Sequence, residues 1–157
     1  MKSIVVMLGC VLALGTTAVF AQDKPADSMQ ILREKIKADK KFVVATNMGL
    51  TESEARGFWP IYEAYQRDLE KLNERLAAVI KSYAADYRTD SLSDEKARAL
   101  IEEAIAIEEA EARLKKSYVA DLSKALPGRK VARYLQIESK IRAVIRYDLA
   151  AQVPLAR

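Results

Sequence analysis

The amino-acid sequence predicts an all-α protein of four helices, a long central hairpin with shorter flanking helices, bent along its length. Three observations carry that prediction. Beyond residue 21 the chain holds only Gly49, Gly57 and Gly128 with Pro25, Pro60, Pro127 and Pro154, while Ala, Leu, Glu, Lys and Arg are abundant. So few breakers among strong helix formers favour long helices over sheet. Phe58, Tyr62, Tyr65, Leu69, Leu72, Leu76, Val79 and Tyr83 recur at alternating intervals of four and three, the period of a packed helical seam. The stretches NMGLT, RTDSLSD and LPGRK punctuate the chain between apolar runs, as turns do.

The elements follow in order. Residues 1–21 read as a secretory signal peptide: Lys2 is followed by an apolar run from Ile4 to Val19, and Val19-Phe20-Ala21 offers a small-residue cleavage pattern before polar Gln22-Asp23-Lys24. A membrane anchor is the alternative, but the run falls short of the roughly 20 apolar residues of a spanning helix and no positive stop-transfer flank follows. Leu8-Gly9-Cys10 offers a second alternative, a bacterial lipoprotein cleavage box placed close to Lys2. With cleavage after Ala21 the sole cysteine leaves with the signal, so no disulfide or thiol site is expected. Residues 22–157 are then expected to form a single all-helical domain with a modest core. Their net charge, once Lys2 is removed from the +4 of the whole chain, is +3 with both signs interspersed, which suits solubility better than a nucleic-acid partner.

The first helix is expected from about Ser28 to Asn47, capped by Asp27 or Ser28, with Met29, Leu32, Ile36 and Val43 along one side. Gly49 ends it in a left-handed conformation. Thr51 and Glu54 stand at capping-box spacing for the next helix, with Leu50 and Ala55 in the staple positions. That second helix carries the seam to about Tyr87. Ser93 caps the third, whose first turn holds Asp94 and Glu95. Two adjoining apolar stripes line it: Leu100, Ala104, Ile107, Leu114 and Tyr118 beside Ile101, Ile105, Ala112, Val119 and Leu122. So wide a face can contact two neighbours. Leu126-Pro127-Gly128 breaks the chain, and Pro127 suits the first position of a fourth helix reaching about Ala150.

Gly57 and Pro60 sit two turns inside the second helix, where proline removes a backbone hydrogen bond and clashes with the carbonyl of Arg56. The apolar phase runs through undisturbed, which predicts a kinked but continuous helix. The alternative is a short helix ending near Phe58 and a new one with Pro60 in its first turn. Either way the axis turns beside Phe58, Trp59 and Tyr62. Phe58, Tyr62 and Tyr65 lie on the seam, where core packing stands against a client-binding role. Trp59 lies off the seam and either plugs against a flanking helix or contributes to an apolar binding surface.

Chemistry is conspicuous by omission. The chain has no histidine, and only Met29 and Met48 follow the signal, so the commonest general base and the soft metal ligands are missing. No glycine-rich phosphate loop or nucleophile motif occurs. The acids Glu102, Glu103, Glu108, Glu109 and Glu111 offer oxygen ligands to a hard cation, but no calcium loop surrounds them. No enzyme activity, cofactor or metal is expected. The basic residues Arg129, Lys130, Arg133, Lys140, Arg142 and Arg146 read as a solvated face pairing with the acids of the third helix, or as a positive rim toward clients.

Leu50-Thr51-Glu52-Ser53-Glu54 resembles the LTxxQ pattern of the Spy/CpxP family of small periplasmic all-helical proteins, with Glu54 in place of Gln. Leu126-Pro127-Gly128-Arg129-Lys130 holds the place of that family's second copy, with Pro127 and Lys130 where Thr and Gln would stand. The resemblance implies a bent helical hairpin, often an antiparallel dimer with a cradle-like concave face, located in the periplasm and acting as an ATP-independent chaperone or envelope-stress protein. It makes Leu50 and Thr51 structural cap residues, not catalytic ones; the caps, bend and chain break described above add Gly49, Glu54, Pro60, Leu126 and Pro127 to the expected structural motif. On this reading the partners are unfolded or partly folded envelope proteins, with a possible homodimer, no nucleic acid and no membrane span after cleavage. The client contacts are expected at Phe58, Trp59, Tyr62, Tyr65, Arg129, Lys130 and Arg133. The alternative is a helical regulatory or structural module that binds one envelope partner.

Overall fold

A computed structural model describes residues 39–156, which form five helical segments: α1 (Lys40–Met48), α2 (Glu52–Thr89), α3 (Asp94–Ser117), α4 (Val119–Ala125) and α5 (Gly128–Gln152). The fold is all-α, with no strand among the described residues. Residues 1–21, expected to be a signal peptide, with Cys10, the expected caps Asp27 and Ser28, and Met29, Leu32 and Ile36 lie outside the described residues.

Local chemistry sets each boundary. Asp39 is extended and its carboxylate accepts from the Phe42 amide at 2.9 Å, so a helix starts at Lys40. This corrects the expectation of one helix running unbroken from Ser28 to Asn47. Gly49 takes the left-handed conformation (φ 56°, ψ 48°) and ends α1 as expected. The capping box then forms in full: the Thr51 amide donates to the Glu54 carboxylate at 2.8 Å and the Glu54 amide donates to Thr51 Oγ1 at 3.3 Å.

Helix α2 runs through Gly57 and Pro60 without ending, and it is bent. The two-helix alternative is therefore not what forms. Pro60 deprives the Arg56 carbonyl of its helical donor. Gly57 meets a different need. A Cβ there would stand 3.0 Å from Cβ of Ala125, so its lack of a side chain lets α2 and α4 approach closely.

The expected third helix is broken at Tyr118 into α3 and α4. Ser117 Oγ donates to the Leu114 carbonyl at 2.8 Å, competing with the backbone ladder. Tyr118 turns toward α2, where its hydroxyl donates to Asp68 at 2.7 Å and its ring meets Tyr65 edge-on. Pro127 is the cap of α5 rather than its first helical residue, and its carbonyl accepts from the Lys130 and Val131 amides.

Cross-chain contacts fix the topology. Gln66 to Glu138, Asn73 to Arg142 and Tyr83 to Pro154 rise together, so α5 runs parallel to α2. Arg75 to Glu103, Asp68 to Tyr118 and Gly57 to Ala125 run in opposite senses, so α3 and α4 return antiparallel. Helix α1 packs antiparallel to α5, with Lys40 at Glu138 and Asn47 at Arg133. The core fills the half where four segments meet: Val44, Met48, Phe58, Tyr65, Leu69, Leu122, Tyr134 and Ile141 are each at most 2 % exposed.

Candidate functional site

The seam divides into two halves with different fates. Phe58, Tyr62, Tyr65 and Leu69 are buried beneath α1, α4 and α5, whereas Leu72, Leu76, Val79 and Tyr83 are only half-buried. The reason is geometric. Among the described residues α1 starts at Lys40 beside Gln66, α5 ends at Gln152, and the tail after it reaches Tyr83, whose hydroxyl donates to the Pro154 carbonyl at 2.9 Å. Between distal α2, the first turns of α3 and this tail lies an open apolar groove of about 740 Å3, lined by Leu76, Val79, Ile80, Tyr83, Leu92, Leu100, Ile101 and Val153.

Helix α3 borders the groove with more apolar surface. Ile101 is 57 % exposed and Ile105 50 %, and Val119 is exposed further along. Of the two stripes, the one through Ile107 meets the bundle, while the second is buried only at Leu122. Helix α3 does meet two neighbours, α2 through Arg75–Glu103 and α5 through Arg142–Glu111, yet Ile101, Ile105 and Val119 of the second stripe stay exposed.

The aromatic residues named from sequence assemble elsewhere. Phe58 stands edge-on to Trp59 and to Tyr134 with ring centroids 5.0 Å apart in each pair, and Trp59 and Tyr62 lie 5.3 Å apart. Phe58, Tyr62 and Tyr65 are core residues and offer no surface to a client. Trp59 is half-buried against that core, with the Lys41 ammonium 5.2 Å from its ring centre, a cation–π contact.

The basic residues also resolve individually. Lys130 donates to the Glu54 carboxylate and to the Gly49 carbonyl at 2.9 Å, and Arg133 reaches the Asn47 carbonyl at 3.4 Å. Both tie α5 to the α1–α2 corner. Arg129 is exposed. Arg142 is no solvated residue, being 6 % exposed; it grips Glu111 through Nε and Nη2 and donates to Asn73 Oδ1 at 2.8 Å. Arg146 joins Glu111 at 3.2 Å and Glu108 at 3.1 Å. Pairing of the α5 cations with the α3 acids is therefore real for Arg142 and Arg146, though partly in the interior. Glu103 meets Arg75 and Glu109 meets Arg113, and among the described residues no three carboxylates converge as a metal site would require.

A second buried carboxylate, Glu138, accepts from Lys40 at 2.8 Å and from Gln66 at 3.0 Å; Gln66 also donates to the Tyr134 hydroxyl at 3.3 Å. Burial and the Glu138 charge push the Tyr62 hydroxyl up to about 12 and the Tyr134 hydroxyl higher still. Burial alone would raise the Glu111 carboxyl, but the hydrogen bonds and charge of Arg142, with Arg146, bring it below the ordinary range. These tyrosines stay protonated and Glu111 stays ionised across ordinary pH, which holds the bundle together. The groove is built for apolar contact.

Sequence reasoning placed Leu76, Val79 and Tyr83 on a packed seam and missed that they line an open apolar groove. Two signals were available. Ile80 widens the apolar face beside Val79, and the second α3 stripe exceeds what one remaining helix can cover.

No protein-family model, curated protein or solved structure matches this chain. Among the described residues no helix is long and apolar enough to cross a membrane.

Proposed function

We propose that this protein is a non-enzymatic, chaperone-like holder of apolar segments, acting without nucleotide on partly folded clients of the bacterial envelope. One observation carries the reading: the apolar groove of about 740 Å3 at the turn end of the α2–α3 hairpin, with Ile101 and Ile105 exposed beside it. Apolar surface of this extent on a charged helical protein marks an interaction site. Its aliphatic and tyrosyl lining suits weak, adaptable contacts rather than a single shape. The LTESE and LPGRK segments, which resemble the Spy/CpxP pattern, and the signal-like residues 1–21 support a periplasmic setting. Aggregation of an unfolded model protein, followed by light scattering with and without the full chain, tests the proposal. Suppression near stoichiometric ratio without ATP supports it; no effect at molar excess removes it.

The exposed Ile101, Ile105 and Val119 on α3 favour a second reading, a helical module that binds one envelope partner or a second copy of itself. Affinity capture from envelope extracts separates the two. A single stoichiometric partner supports the module, and many substoichiometric ones support the holder.

A further inference from the structure

We propose that the outer face of α5, with Phe42 of α1 at its margin, docks on an anionic lipid surface. Arg129, Arg133, Gln136, Lys140 and Tyr147 are all exposed and recur at intervals of three, four and seven, so they share one side of the helix. At about 1.5 Å rise per residue this side presents a strip roughly 27 Å long. It carries cations and no acid, because the two carboxylates of α5 are Glu138, fully buried, and Asp148, half-buried. Among the described residues Arg129, Arg133 and Lys140 form no ion pair, whereas Lys130, Arg142 and Arg146 on the flanks of the same helix are all paired. Arg133 donates to the neutral Asn47 carbonyl, which leaves its charge uncompensated.

Two exposed rings complete the face. Helix α1 lies against α5, and the shallow concavity of about 280 Å3 at their junction is lined by Asn47, Arg133, Gln136, Ile137 and Lys140. Val44 and Met48 turn one side of α1 into the core, so Phe42, on the opposite side, is 60 % exposed. Of the acids near it, Asp39 caps the Phe42 amide and Glu63 is paired with Lys41. Tyr147 is 63 % exposed at the far end of the strip. Cations that reach lipid phosphates, with aromatic rings beside them at headgroup depth, are the chemistry of an interfacial membrane contact. Nucleic acid would match the cations, but it offers no apolar layer to isolated rings at the margins of the strip. No residue lining the groove of about 740 Å3 takes part, so this inference stands apart from the client reading.

The test is flotation of the full chain with vesicles of phosphatidylcholine alone, or of phosphatidylcholine and phosphatidylglycerol in equal parts, at low and at physiological salt. Binding is expected to be tighter to the anionic vesicles and to weaken with salt. Each cation near such a surface is worth about fivefold in affinity, so the triple variant Arg129→Gln, Arg133→Gln, Lys140→Gln should bind them about a hundredfold more weakly. Phe42→Gln should also weaken binding, at unchanged melting temperature. A control of the same net charge, Lys81→Gln, Arg88→Gln, Lys116→Gln, alters exposed cations elsewhere and should bind as the wild type does. Equal binding to both kinds of vesicle, binding to neither, equal loss in the two triple variants, undiminished binding by Phe42→Gln, or tighter binding to single-stranded DNA than to anionic vesicles would each overturn the proposal.

Discussion

Lys130, in the first turn of α5, forms an ion pair with Glu54, in the first turn of α2, and the same ammonium caps the Gly49 carbonyl at 2.9 Å. These two residues are the places where the LTESE and LPGRK segments depart from the glutamines of the pattern they resemble, and the departures complement each other. Both segments start helices. The pair therefore locks the entry of α2 to the entry of α5.

The lock predicts a pH dependence. The hydrogen bond from Lys130, then that from the Thr51 amide, holds the Glu54 carboxyl below its ordinary value of 4.5. A carboxyl more acidic in the folded state gives stability that is present above the unfolded value and lost as pH falls through the folded one. Lys130→Met should shrink the acid-side loss of melting temperature without abolishing it, because Thr51 still donates. Identical acid profiles for the two proteins would contradict this. Thr51→Ala, which removes the cap, should cost about 1 kcal/mol at neutral pH in denaturant unfolding.

Arg142 and Glu111 predict a sharper asymmetry. Arg142→Ala leaves the buried Glu111 carboxylate with Arg146 alone and should destabilise by up to about 3–5 kcal/mol, whereas replacing both partners, Arg142→Met with Glu111→Leu, should recover most of that loss. Urea unfolding of the single and double variants reads the difference. A double variant as unstable as the single would contradict an ion-pair origin.

Two tyrosines should respond oppositely to loss of the hydroxyl. The Tyr65 hydroxyl is buried and has no hydrogen-bond partner among the described residues, while that of Tyr118 donates to Asp68. Tyr65→Phe is expected to be neutral or stabilising, and Tyr118→Phe to cost about 1 kcal/mol. Thermal melts compare them directly.

Gly57 offers a test of close packing. Ala is favoured over Gly in a helix by about 1 kcal/mol, but its Cβ would crowd Cβ of Ala125 at 3.0 Å. Gly57→Ala should therefore gain nothing, and Gly57→Leu should lose about 1–3 kcal/mol as α2 and α4 separate. A stabilised Gly57→Ala would show that the two helices approach less closely.

Much of this architecture was legible in the sequence because its signals are local. Gly49, the Thr51–Glu54 box and Ser93 each satisfy their own helix ends, so spacing alone locates them. The start at Asp39 was missed because Met29, Leu32, Ile36 and Val43 share one phase, which hides a capping aspartate inside the run. The break at Tyr118 depends on Asp68 and Tyr65, fifty or so residues away in the chain. The candidate site was harder still. A heptad seam records which residues face a partner, but where the partners run out is a matter of helix lengths in space, so Phe58 and Tyr83 look alike in sequence and differ in burial.

Fluorescence anisotropy of a labelled, unfolded apolar peptide titrated with the full chain tests the groove most directly, comparing wild type with a Val79→Asp, Ile101→Asp variant. Saturable binding without nucleotide, lost in the variant while its melting temperature holds, is the predicted result. Equal binding by both proteins, or binding by neither, would contradict the assignment of the groove as the place where clients are held.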